Sequence, residues 1–233
     1  MKKLLLLLPI LFVSYFSSAQ SLDEIVKKHV DAIGGLANWD KIKSIKLDGV
    51  MKQGGSDIII HIYQIDKVAS RQEIEAMGLK GYNIVTTKEG WSFMPFQGQA
   101  KPEPMTEDDV KNSQDDLNLK DEFITYKELG KKLELLGKED MEGIECFKIK
   151  MTDKDGQETT YFMDVESFYV IKAVVKMTSN GKEYTNEIIY SNFEKLPEGI
   201  VYPMSINSGW GTTDITKVEI NPSIDENLFK PSK

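Results

Sequence analysis

The chain has 233 residues, of which 37 are acidic and 29 are basic, so its net charge is −8 at neutral pH. An acidic surface repels nucleic acid and anionic headgroups, and the single arginine, Arg71, leaves little capacity for bidentate phosphate recognition. Composition therefore argues against a nucleic-acid-binding protein.

The first twenty residues have the pattern of a secretory signal peptide. Two lysines precede an apolar run from Leu4 to Phe16, and small residues follow at Ser17 and Ala19. The run is shorter than the roughly 20 residues that cross a bilayer, and no cysteine follows it as a lipid attachment site. We predict cleavage after Ala19 or Gln20 and a periplasmic protein without a lipid anchor.

The mature chain, residues 21–233, is long enough for one domain with a substantial core. It keeps 27 basic and 37 acidic residues, a net charge of −10. Its only cysteine, Cys146, excludes an internal disulfide. Because no domain break or repeat is evident, we predict a single domain and a monomer.

This domain begins with an amphipathic helix. Ser21 and Glu24 form a capping box, and apolar residues recur at helical spacing as far as Ile33. Gly34-Gly35 ends this helix. A short second helix, with Trp39 as its apolar anchor, is predicted next.

From Ser44 onwards the apolar residues alternate with polar ones, which indicates β-strands. Gly54-Gly55, Asp155-Gly156 and Asn180-Gly181 are predicted hairpin turns. The predicted strands cover residues 44–52, 57–65, 68–76, 81–87, 91–94, 132–137, 144–151, 159–164, 169–178, 183–192, 200–208 and 215–220.

A long polar insertion separates the two groups of strands. It begins at Gln97, and Thr106 starts a helix whose sizeable apolar residues are Val110, Leu117 and Leu119. These elements predict a mainly β (α+β) fold. Its sheet would be a curved antiparallel half-barrel, with the N-terminal helix and the mid-chain insertion plugging the concave face.

Motifs for catalysis or metal binding are weak. His29 and His61 have no ligand-spaced neighbours, and no Gly-x-Ser-x-Gly motif occurs. Acidic clusters at 107–109, 115–116 and 139–140 leave a hydrolase with paired carboxylates as an alternative, although polar sequence favours a solvated surface. We predict no catalytic residues, no metal and no cofactor.

Several strands are apolar on both faces, which exceeds what a sheet with one wet face needs. Methionines within the strands add an adaptable lining. This pattern predicts a concave cavity for lipid or acyl chains. The predicted ligand-binding residues on these strands are Ile60, Ile62, Trp91, Phe93 and Met163.

Segments spread over the mature chain resemble the LolA/LolB-like lipoprotein carrier superfamily, in particular its outer-membrane lipoprotein-sorting branch. The segments that carry the resemblance are Ile25–Gly35 with Ile42–Ile45, Glu89–Trp91 with Pro95 and Gly98, Leu136–Ile149, Gly199–Pro203 and Ile220–Phe229. The resemblance implies a half-open barrel that holds acyl chains without catalysis. It also implies that an arginine on an early strand couples lid and barrel, and Arg71 is the matching residue.

The predicted function is a non-enzymatic periplasmic binder or carrier of lipid or lipoprotein acyl chains. An envelope membrane protein would be a possible partner for release. The alternatives are an envelope lipid-sensing module without a transfer role and the carboxylate hydrolase. If Arg71 couples lid and barrel, Arg71→Leu should alter ligand retention or release more than folding.

Overall fold

The computed structural model describes residues 20–179, 182–209 and 211–232. The predicted signal peptide and the Asn180-Gly181 turn therefore lie outside the described residues. Within them, thirteen strands form a single antiparallel sheet. The strands are β1 Ser44–Gln53, β2 Ser56–Ile65, β3 Ala69–Ala76, β4 Leu79–Thr86, β5 Gly90–Phe93, β6 Glu103–Pro104, β7 Lys132–Met141, β8 Ile144–Thr152, β9 Glu158–Asp164, β10 Val170–Ser179, β11 Lys182–Lys195, β12 Val201–Asn207 and β13 Thr212–Ile220.

The sheet consists of two meanders joined edge to edge, a first meander of β1 to β6 and a second meander of β7 to β13. Its strand order is β6-β5-β4-β3-β2-β1-β13-β12-β11-β10-β9-β8-β7, so every neighbouring pair is sequential except β1 and β13. Ile45 lies opposite Ile220 in that pair. The sheet is not closed, because β6 and β7 remain as edges. The predicted half-barrel with helices is confirmed.

Four α-helices accompany the sheet in the described residues: α1 Leu22–Ala32, α2 Leu36–Trp39, α3 Glu107–Asn112 and α4 Glu122–Thr125. Short 3-10 helices lie at Pro95–Gln97, Asp115–Leu117 and Glu226–Phe229. The sequence predicted α1, α2 and α3 but neither α4 nor the C-terminal 3-10 helix. Within the described residues, no helix has the length and apolar character needed to cross a membrane.

Helix α1 begins and ends as its sequence predicts. The Ser21 hydroxyl accepts from the Glu24 amide, and the Glu24 carboxylate accepts from the Ser21 amide. Gly34 ends the helix at φ +111°, and a Cβ there would lie 2.3 Å from the Gly199 carbonyl oxygen. Glycine at this position therefore allows the helix to end directly against the turn between β11 and β12.

The main core lies between α1, α4 and one face of the second meander. Ile25 of α1 and Phe123 of α4 pack with Ile149 and Met163, and these four residues are nearly inaccessible. We call the face that carries α1 and α4 the inner face and the opposite one the outer face. Strand register extends the inner face through Tyr161, Ile188, Tyr190, Ile206, Thr213, Met51, Ile58, Ile60 and Ile62.

A second apolar cluster lies on the outer face of the first meander. Phe229 of the C-terminal 3-10 helix packs on Tyr82 and Ile84 of β4, with Trp91 and Phe93 of β5 beside them. The Ser232 amide donates to the Tyr82 hydroxyl over 3.0 Å. The chain's own C-terminal segment therefore covers the apolar outer face of β4 and β5.

Candidate ligand-binding site

The inner face contains a cavity of about 250 Å³ between the helices and strands β9 to β12. Its walls are mostly apolar, with six aromatic side chains from Trp39, Phe123, Tyr161, Tyr190, Phe193 and Tyr202. The rest of the wall is mostly aliphatic, from the side chains of Ile33, Leu119, Val170, Val201 and Ile206. The volume is slightly below the roughly 300–1,000 Å³ of typical ligand pockets.

The polar end of the cavity is built around His29, which is 1% exposed. Its Nδ1 lies 2.7 Å from the Phe168 carbonyl oxygen, and its Nε2 lies 3.2 Å from Asp121 Oδ1. Asp121 also accepts from the Phe123 amide at the start of α4. His29 therefore joins α1, α4 and the loop between β9 and β10.

The pKa of His29 is raised above its ordinary value of 6.5. Burial alone acts to lower this pKa, but the Asp121 charge, its hydrogen bond and the Phe168 carbonyl together outweigh burial. The geometry agrees, since a carbonyl and a carboxylate can only accept, and only the imidazolium donates to both. His29 is thus favoured in its charged form.

The other charged groups at this end are paired within the chain. Lys120 Nζ lies 2.6 Å from Asp40 Oδ1, and Glu122 lies 3.4 Å from Lys131 Nζ. Tyr161 donates a side-chain hydrogen bond to Glu122. The cavity therefore has a balanced polar rim around an apolar interior.

The six sequence-predicted ligand residues do not come together. Ile60, Ile62 and Met163 lie on the inner face, whereas Arg71, Trp91 and Phe93 lie on the outer face. None of the six is among the residues that line the 250 Å³ cavity. Met163 is fully buried beneath α1 instead.

Arg71 contacts the C-terminal segment rather than the helices. Its Nε donates to Glu73 over 2.7 Å, its Nη1 donates to the Leu228 carbonyl over 2.9 Å, and its guanidinium stacks on the Tyr82 ring. These contacts support a structural role on the outer face. Binding of ligand by Arg71, Trp91 and Phe93 stays a prediction.

The aromatic residues of β11 and β12 were not predicted from the sequence as ligand-binding residues. Tyr190 continues the alternating apolar pattern that begins at Ile188, and Tyr202 lies in the predicted strand that begins at Ile200. Alternation alone marks such tyrosines as half-buried. Their position opposite α4 depends on the pairing of distant strands.

The predicted acidic clusters serve structural contacts at the surface. Asp109 accepts from the Thr106 hydroxyl at the start of α3, Asp115 pairs with Lys131, and Glu139 pairs with Lys148. The described residues contain no group of three or more His, Cys, Asp or Glu side chains arranged to hold a metal ion. Burial raises the pKa of the Cys146 thiol to about 11, which makes it a poor nucleophile.

An open antiparallel sheet with helices over an apolar cavity defines a class of β-sheet ligand-binding domains. By sequence, no protein family and no curated protein matches the chain. Solved structures do match it. A LolA superfamily protein from Nitrosomonas europaea has a TM-score of 0.59 and 15% identity, covering 91% of this chain and 99% of that one.

Two further structures agree with this fold. A DUF1329 family protein from Desulfovibrio piger has a TM-score of 0.58 and 13% identity, covering 91% of this chain and 98% of its own. An outer membrane lipoprotein-sorting protein domain from Vibrio parahaemolyticus has a TM-score of 0.54 and 12% identity, covering 88% and 94%. The expected resemblance is confirmed, and at this identity it is a likeness of fold.

Proposed function

We propose that the protein is an exported, non-enzymatic binder or carrier of acyl chains from lipid or lipoprotein. The observation that carries this proposal is the apolar cavity between the inner face of the sheet and its helices. Each methylene buried there contributes roughly 0.8 kcal/mol, so even part of one acyl chain gives useful affinity. Release of the ligand would require a partner in the envelope to displace α4 and the rest of the mid-chain insertion.

The relatives support the same class of function. The lipoprotein-sorting domain shares the fold over 88% of this chain. The cavity is closed by short helices whose contacts include exposed ion pairs such as Lys67–Glu128. Such contacts are individually weak, which suits a lid that must open.

A cavity-filling variant tests the proposal. Ile206 lines the cavity opposite Tyr190, whereas the neighbouring Ile189 is 46% exposed. We expect Ile206→Trp to weaken binding of a fluorescent fatty-acid probe at least tenfold, because the indole occupies the ligand's volume. Ile189→Trp should bind as the wild type does.

Lipid identification by mass spectrometry complements this test. Protein purified from the envelope should contain acyl lipid, and the Ile206→Trp protein should contain less. If both variants and the wild type take up no probe and no lipid, the carrier proposal fails. Recovery of a membrane protein without lipid would favour the lipid-sensing or interaction module instead.

A further inference from the structure

Two tyrosine hydroxyls in the cavity have no partner within the protein. Tyr190 of β11 and Tyr202 of β12 both line the cavity. Among the described residues, neither hydroxyl makes a hydrogen bond, whereas Tyr161 beside them is bonded to Glu122. Both side chains are partly buried and line the cavity, so each hydroxyl is free to donate a hydrogen bond to a ligand there.

Both hydroxyls remain protonated at physiological pH. Burial raises the pKa of Tyr202 to about 12. Burial also raises the pKa of Tyr190 well above its ordinary value, and the nearby carboxylates of Glu122 and Asp121 raise it further, as does Tyr202. Both phenols can therefore donate a hydrogen bond at physiological pH. The carboxylates of Asp121 and Glu122 line the same cavity.

The surrounding charges disfavour an ionic headgroup. An anionic ligand at Tyr190 would lie near the carboxylates of Asp121 and Glu122, and it would gain little from the nearby cations, because His29 and Lys131 already pair with these carboxylates. A cationic ligand would gain little, because Asp121 already pairs with His29 and Glu122 already pairs with Lys131. An uncharged oxygen that accepts hydrogen bonds is the chemistry that these two donors fit.

We propose that Tyr190 and Tyr202 anchor the ester carbonyl of an acyl ester, and that the cavity prefers esterified acyl chains to free fatty-acid anions. This inference rests on the proposed function and specifies its ligand. The cavity volume equals that of about eight water molecules, enough for one ester and part of one chain. The aromatic walls then enclose the first methylenes.

Calorimetric titration tests this preference. The ligands are a 1-monoacylglycerol, the free fatty acid of the same chain length above its pKa, and an alkane of similar length. We expect the wild-type protein to bind the ester at least tenfold more tightly than the anion. Tyr190→Phe and Tyr202→Phe should each weaken ester binding about threefold to tenfold, the usual value of one hydrogen bond, and leave alkane binding unchanged.

Tyr184→Phe is the matched control, because Tyr184 lies on the same strand and is 46% exposed. It should bind all three ligands as the wild type does. Equal affinity of the Phe variants and wild type for the ester would overturn the inference, as would equal affinity of wild type for ester and anion. Alkane binding in that case would leave the carrier proposal standing, whereas no binding of any ligand would overturn both.

Discussion

His29 is a buried, charged contact between three elements. Its imidazolium donates to Asp121 at the start of α4 and to the Phe168 carbonyl. Hydrogen bonds that involve charged groups contribute about 1.5–3 kcal/mol each when well formed. A single side chain thus links α1 to α4 and to the loop between β9 and β10 at the polar end of the cavity.

We expect the free energy of unfolding to depend on pH through His29. Because its folded pKa is raised, its contribution is fully present below the unfolded pKa of about 6.5 and is lost as pH rises through the folded pKa. His29→Gln should flatten this decline in urea unfolding measured across neutral pH. An unchanged pH dependence in the variant would show that His29 is not the group responsible.

His61 provides the comparison for stability. It also bonds a carboxylate, with Nδ1 2.6 Å from Asp48 Oδ1, but it lies on the outer face and its side chain is 35% exposed. His61→Gln should therefore change the free energy of unfolding by less than about 1 kcal/mol. A larger loss than that of His29→Gln would contradict the importance assigned to the buried contact.

Arg71 is a second residue with several contacts, but these lie on the outer face, away from the cavity. Since it holds Glu73, Leu228 and Tyr82 on the outer face, we expect Arg71→Leu to lower the free energy of unfolding by about 1.5–3 kcal/mol. Binding of the fatty-acid probe should be unchanged. This expectation reverses the one derived from the family resemblance, in which Arg71 couples lid and barrel.

Lys80→Leu is the control for this substitution. Lys80 pairs with Glu75 over 3.3 Å on the same face, and its side chain is 78% exposed. Its loss should cost less than about 1 kcal/mol in thermal or urea unfolding. If Arg71→Leu instead keeps full stability and alters probe retention, the resemblance rather than the contact geometry gives the right role.

At the scale of elements, residues 97–120, which precede α4, bury few side chains. Leu117 is 2% exposed, its carbonyl accepts from the Lys67 amide, and the Asp66 carboxylate accepts from the Leu119 amide. Val110 is the only other buried residue between 97 and 120. Opening of this segment therefore exposes little apolar surface, in contrast to α1 with its buried Ile25 and Val26.

We expect the amides of residues 97–120 to exchange faster than those of α1 and to slow when ligand is bound. Leu117→Ala should accelerate their exchange further. Truncating a buried leucine to alanine costs about 2–5 kcal/mol, and here the substitution destabilises the packing of this segment against the sheet. Hydrogen exchange measured by mass spectrometry distinguishes the segments.

Leu79→Ala is the matched control, since Leu79 is 45% exposed on the hairpin between β3 and β4. It should leave exchange in the insertion unchanged. Equal exchange rates with and without ligand would remove the lid role from this segment. A global rise in exchange after Leu117→Ala would show that the segment is part of the main cooperative unit.

At the scale of the whole molecule, we expect export followed by cleavage after Ala19 or Gln20. The basic start and apolar run support it, and Leu7→Arg should block it by placing a charge in the apolar run. N-terminal sequencing of fractionated cells gives the measurement, with Leu7→Ile as the control that is still exported. A mature chain that still begins at Met1 would contradict export.

The sequence by itself determined most of the local structure. Its alternating runs predicted twelve of the strands to within a few residues, and the capping box and Gly34-Gly35 fixed the ends of α1. These features depend on near neighbours, through a period of two or 3.6 residues and through local hydrogen bonds. The mainly β architecture and its likeness to lipoprotein-sorting folds followed from their order.

Only the tertiary structure decided which face each strand residue occupies in the assembled sheet. Arg71 and Ile60 lie on adjacent strands, yet one contacts the C-terminal segment and the other faces inward. Tyr190, Tyr202 and His29 meet at one cavity because β1 pairs with β13 and α1 crosses the second meander. The alternation of apolar and polar residues separates the two faces of a strand. It does not show which part of the chain packs on each face, because that depends on contacts between residues far apart in the chain.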